Sequence, residues 1–167
     1  SEYYNNLELK YSKTSIDSSY AFKNKGIIAF YKKDYKTSIY YINKSKKKIL
    51  LNKDLSWYII LLQYLGENYN ELDNKEEAVK YYKNVIYLSK KKKIVNNEIR
   101  LSFERIIEYY KDTNDKNNQL ITINDLLSYD SIFYDTNKYL SISYYEKYEN
   151  ANLIKEKKNI LKKHWNI

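Results

Sequence analysis

The chain's only two glycines, Gly26 and Gly66, stand 40 residues apart in matching surroundings. The stretch "KGIIAFYKKDYKTSIYYINKS" from Lys25 lies against "LGENYNELDNKEEAVKYYKNV" from Leu65. Asp34 pairs with Asn74, Ser38 with Ala78, Ile39 with Val79, Ile42 with Tyr82 and Ser45 with Val85. A third copy, "IIEYYKDTNDKNNQLITINDL" from Ile106, follows at a spacing of 41. Self-similarity at this period constrains the fold to a stack of like units, each burying what its neighbour exposes.

Each copy reads as two helices. An apolar stripe at helical spacing comes first, as in Leu62, Leu65, Tyr69 and Leu72. A polar break follows, where Asp34, Asn74 or Asp115 can cap the next helix. A second stripe then runs through Ala78, Val79, Tyr82, Val85 and Ile86. Proline, the strongest helix breaker, is absent from all 167 residues. The expected fold class is therefore all-α. Gly26 with Ser38, and Gly66 with Ala78, would let paired helices approach closely. In the third copy Ile107 and Gln119 take those positions, so that pair is expected to pack less closely.

These residues resemble the tetratricopeptide repeat. The second copy carries Leu62, Leu65-Gly66, Tyr69, Ala78 and Tyr82; the first carries Phe22, Gly26, Tyr35 and Ser38; the third carries Phe103, Ile106, Tyr110 and Leu126. The terminal proline of that pattern is missing, and the period exceeds the family's usual length of about 34, which implies roughly one extra turn shared between the helices of each pair. The resemblance implies an α-solenoid, a superhelix of antiparallel helix pairs over residues 1–148. Repeats are expected near 19–52, 59–92 and 100–133, with a degenerate terminal repeat from about 134. Residues 149–167 are expected to form a capping or linker helix. Residues 2–13 read as the second helix of an earlier pair. With no methionine at position 1, the chain is expected to begin inside a longer product.

The segment "LLSYDSIFYDTNKYLSISYYEKYENANLIKEKKNIL" is similar to the stretch closing the repeat region of bacterial AraC-type transcriptional regulators. That resemblance implies a sensor region, extracytoplasmic in a membrane-anchored protein, with DNA-reading helices beyond residue 167. A histidine-kinase sensor, a cytoplasmic variant and a constitutive assembly scaffold are the alternatives.

Little in the sequence carries chemistry. Cysteine is absent and His164 is the sole histidine, so no imidazole triad or typical zinc site is expected. Neither a cofactor nor catalysis is expected. Net charge is +9, yet only Arg100 and Arg105 are arginines. The lysine runs 46–48 and 90–93 read as solvated helix ends, and no sequence-specific nucleic-acid binding is expected. No apolar run approaches the length of a membrane span. What remains is shape. Successive first helices would line a concave groove for a peptide or protein, carried by Lys23, Ile27, Phe30 and Tyr31, then Gln63, Glu67, Asn70 and Glu71, then Glu104, Glu108 and Lys111. These positions are expected to be exposed.

Overall fold

A computed structural model describes residues 3, 4, 6 and 15–144, and side chains within 15–144 only over residues 17–138. Among the described residues the secondary structure is helical, with no strand. Six helices follow in order: α1 Ser15–Tyr31, α2 Tyr35–Leu51, α3 Leu55–Glu71, α4 Lys75–Lys92, α5 Asn97–Asp112 and α6 Lys116–Tyr144. The chain divides into two compact units, Ser1–Leu126 and Leu127–Ile167. The boundary falls within α6.

The repeat has a simple local cause. Three 17-residue helices alternate with three-residue connectors, so one helix and one turn take 20 residues and a pair takes 40. Lys33, Lys53, Asp73, Lys93 and Asn114 all adopt the left-handed backbone conformation. At four of these turns the amide of the left-handed residue donates three residues back. The next amide donates five residues back, as in Lys33 N to Phe30 O (2.8 Å) and Asp34 N to Ala29 O (2.9 Å). This is the Schellman closure. The residue that completes it also starts the next helix: Asp34, Asp54 and Asn74 each accept a bond from the amide three residues on. Stop and start are therefore one device, and it acts between pairs as well as within them.

In the first unit, α1 packs on α2 and α3 on α4, and α2 on α3 and α4 on α5. The connectors are too short for anything except antiparallel neighbours. First helices also touch one another, α1 with α3 and α3 with α5. The second helices repeat their buried faces: Ser38, Ile42, Ser45 and Ile49 in α2, and Ala78, Tyr82, Val85 and Ser89 in α4. Both glycines meet the residue 16 positions on. A Cβ at Gly26 would lie 2.6 Å from Ile42 Cγ1, and one at Gly66 2.5 Å from Tyr82 Cε1. Gly66 is thus closed by Tyr82, and the small residue Ala78 packs instead on Tyr82 and Ile106.

A helix boundary is expected near residues 132–134, but α6 runs through it unbroken for 29 residues. Counting 20 from Asn114 places the next turn at Tyr134-Asp135. There a bulky tyrosine would have to enter the left-handed region, which Asn and Asp enter at less cost. Tyr129 and Phe133, one turn apart in α6, stack with ring centroids 6.4 Å apart. Of the expected helix at 2–13 only residues 3, 4 and 6 are described, each helical, and the expected helix at 151–165 lies outside the described residues.

Candidate functional site

The first helices bring part of the expected groove together and bury the rest. Between α1 and α3 the contact is aromatic. Lys23 is buried, with Nζ 3.4 Å from the Trp57 ring centroid and 5.3 Å from that of Tyr20. The Tyr20 hydroxyl donates to Asp54 Oδ2 at 2.6 Å, whose other oxygen caps α3. Further along, the Phe30 ring lies 5.3 Å from Tyr64 and 6.0 Å from Tyr35. The Tyr31 and Tyr64 hydroxyls are 3.0 Å apart, and the Tyr35 hydroxyl donates to Glu71 Oε2 at 3.0 Å. Burial, and then the Tyr31 hydroxyl, push the Tyr64 phenol well above its ordinary range.

Between α3 and α5 the contact is ionic. Glu67 is only 6% exposed. Its Oε2 receives Arg105 Nη2 at 2.9 Å, and its Oε1 receives Arg105 Nε at 3.2 Å and the Tyr82 hydroxyl at 2.6 Å. The paired Glu67 carboxylate raises the Arg105 pKa. Burial, followed by donation to Glu67, raises that of Tyr82. The outer edge of this contact opens into a cleft of about 270 Å³ lined by Asn70, Lys75, Tyr82, Arg105, Glu108 and Asp112. At the preceding pair the corresponding space holds Phe30, Tyr35 and Tyr64.

Three of the expected groove residues are therefore not at the surface. Lys23, Gln63 and Glu67 are 7%, 4% and 6% exposed. The cause is that first helices pack directly on one another, so the face assigned to a ligand is partly the seam between repeats. Tyr31, Glu71, Glu104, Glu108 and Lys111 are exposed, and Ile27, Phe30 and Asn70 are half-buried. Glu104 pairs with Arg100 one turn earlier on α5. The expected gradient from basic to acidic also changes, because Arg105 neutralises Glu67. Sequence reasoning missed Arg105, Tyr64 and Asp54. Arg105, one of two arginines, lies 38 residues beyond Glu67, so opposite charges a little short of the repeat spacing carried a usable signal.

A larger cleft, about 560 Å³, lies where α4, α5 and the start of α6 meet. Among the described residues no group of three or more His, Asp or Glu side chains is placed to hold a metal. No helix of the described residues is long and apolar enough to cross a membrane. The chain matches no family model, no curated protein and no solved structure. What the fold itself defines is an all-α chain of helical-repeat type.

Proposed function

We propose that this chain is a non-catalytic interaction domain of tetratricopeptide type, a solenoid whose first-helix face takes a peptide or protein segment. The observation that supports this reading is the mixed-charge cleft at the α3–α5 seam. It is lined by residues of two successive first helices, Asn70 on one and Glu108 on the other. Exposed Tyr31, Glu71 and Lys111, each 40 residues from the next, flank the same faces. An extended segment crossing them would meet aromatic, acidic and basic positions in turn, which favours a ligand of matching alternation over a plain polyanion. Tyr31 and Phe30 offer the aromatic anchor.

The narrower reading makes the domain the sensor of an AraC-type transcriptional regulator, held outside the cytoplasm. It rests on the C-terminal sequence segment alone. A gene that continues past residue 167 into a hydrophobic span and a helix-turn-helix supports it; one that continues into a kinase core, or stops, favours the sensor-kinase or scaffold alternative.

The test of the groove uses a partner captured by the full chain from cells of its source and identified by mass spectrometry. Glu108→Lys with Lys111→Glu, and separately Tyr31→Ala, should each weaken that complex at least tenfold while the circular dichroism spectrum stays helical. Unchanged binding by both variants overturns the groove reading.

A further inference from the structure

The 560 Å³ cleft has a composition that the first-helix face lacks. Its walls are Lys83, Tyr87, Lys90 and Lys91 of α4, with Ile106 and Tyr110 of α5 and the first turns of α6 closing the end. None of these residues lines the 270 Å³ cleft, so the two are separate. Positions 83, 87, 90 and 91 fall on one face of α4, at spacings of four, seven and eight. The floor is apolar and the rim is cationic. Asp125, the one acidic residue on the wall, holds Lys90 at 2.7 Å. Three lysines against one aspartate leave the wall with a surplus of about two positive charges at neutral pH.

Helix-end electrostatics explain part of this. Lys90, Lys91 and Lys92 stand in the last turn of α4, where cations complement the free carbonyls. Lys83 stands more than two turns earlier, beyond the reach of that effect. Its Nζ lies 5.1 Å from the Tyr110 ring centroid and 5.8 Å from that of Tyr109. Lys91 Nζ reaches the Tyr87 hydroxyl at 3.1 Å, and Tyr87 is 57% exposed. The cleft is of ligand-binding size, and it adjoins the one pair whose alignment carries neither glycine nor a small partner, Ile107 and Gln119.

We infer that this cleft is a second docking site, for an acidic peptide segment with an apolar anchor. A leucine or phenylalanine side chain enters over Ile106 and Tyr110, and flanking carboxylates meet Lys83 and Lys91. The argument is charge complementarity around an apolar floor, which orients an occupant that neither a neutral helix nor a purely ionic strand would satisfy. It shares with the interaction-domain reading only the class of ligand and stands on different residues.

The experiment measures fluorescence anisotropy of the full chain with a labelled decapeptide of aspartate and glutamate around one leucine and one phenylalanine. Binding should weaken at least tenfold on Lys83→Glu with Lys91→Glu, both solvent-exposed positions. It should weaken comparably when the peptide's two apolar residues become serine. Tyr31→Ala and Glu108→Lys should leave it unchanged, which separates this site from the first-helix groove. No binding, equal binding of the serine peptide, or loss through the groove variants each overturns the proposal.

Discussion

Two seams join successive first helices, and they use opposite chemistry at equivalent places. The α1–α3 seam is held by Lys23 over Trp57 and by the Phe30, Tyr31, Tyr35 and Tyr64 rings. The α3–α5 seam is held by one carboxylate that receives both an arginine and a tyrosine hydroxyl. Aromatic contacts are broad and tolerate small shifts. A forked arginine–carboxylate pair fixes distance and angle together. The repeat therefore conserves where helices meet without conserving what holds them. The aromatic seam fills its groove, and the ionic seam leaves a polar cleft beside it.

The comparison breaks most visibly at Glu67. Glu67→Ala should cost about 3 kcal/mol, because it leaves Arg105 and the Tyr82 hydroxyl without their shared acceptor. Lys23→Ala at the aromatic seam should cost only about 1 kcal/mol. Thermal melts of the two variants rank the seams; equal losses would remove the distinction. Glu67→Leu with Arg105→Met should recover most of the loss, since replacing both partners removes the stranded charge.

Next come the glycines. Gly26→Ala places a Cβ 2.6 Å from Ile42 Cγ1 and 3.1 Å from the Ile42 backbone nitrogen, which cannot move aside. Overpacking of this kind costs about 2 kcal/mol after the roughly 1 kcal/mol gained from helix propensity. For Gly66→Ala the three nearest atoms all belong to the Tyr82 ring, a side chain rather than backbone. This substitution should cost less in wild type, and less again when Tyr82→Phe frees the ring from Glu67. Urea unfolding midpoints of wild type, the two glycine variants, Tyr82→Phe and the Gly66→Ala/Tyr82→Phe double variant check the order.

The third effect is a pH dependence. Tyr82 has its pKa raised above the ordinary 10.0 by burial and by donation to Glu67. A raised folded-state value contributes stability that is fully present below pH 10 and is lost as pH climbs toward the folded pKa. Stability should therefore decline above about pH 10. Tyr82→Phe should lose about 1–2 kcal/mol at pH 7 and show a shallower decline above pH 10. Tyr64, raised at the other seam, keeps part of that decline in both chains. An identical alkaline slope in wild type and variant would place the effect elsewhere.

How much of this was legible in the sequence follows from the same residues. The helix pairs, the caps Asp34, Asn74 and Asp115, and the close approach at Gly66 were readable because each is local or repeats at 40. The caps Asp54 and Asn96, which accept from the Trp57 and Ile99 amides, do not show in the 40-residue period because they stand between pairs, although left-handed residues recur at 33, 53, 73, 93 and 114. The exposure of Lys23, Gln63 and Glu67 was misread for a different reason. Amphipathic spacing marks the face toward a helix's own partner, whereas contact between successive first helices is nonlocal and here uses polar side chains. The run of α6 past Tyr134 was hidden because Asp130 and Asp135 look like caps, yet a cap starts a helix only where the residue before it can end one.

That last point yields the smallest prediction, at the turns themselves. Lys53 sits at φ 60° with no glycine's freedom to do so, and Asp73 sits at φ 59°. For lysine the left-handed conformation costs about 1–2 kcal/mol, of which glycine recovers most while adding about 0.5–1 kcal/mol of unfolded-chain entropy. Lys53→Gly should thus stabilise by about 0.5 kcal/mol. Asp73→Gly should gain less, because a short polar side chain enters this region more readily than a long one. Each change leaves the amide bonds of the turn in place, Lys53 N to Leu50 O at 2.9 Å and Asp73 N to Asn70 O at 3.0 Å. The pair thus isolates backbone conformation from hydrogen bonding. A Lys53→Gly chain that melts lower than wild type would mean that the lysine side chain contributes more in the folded state than its backbone strain removes.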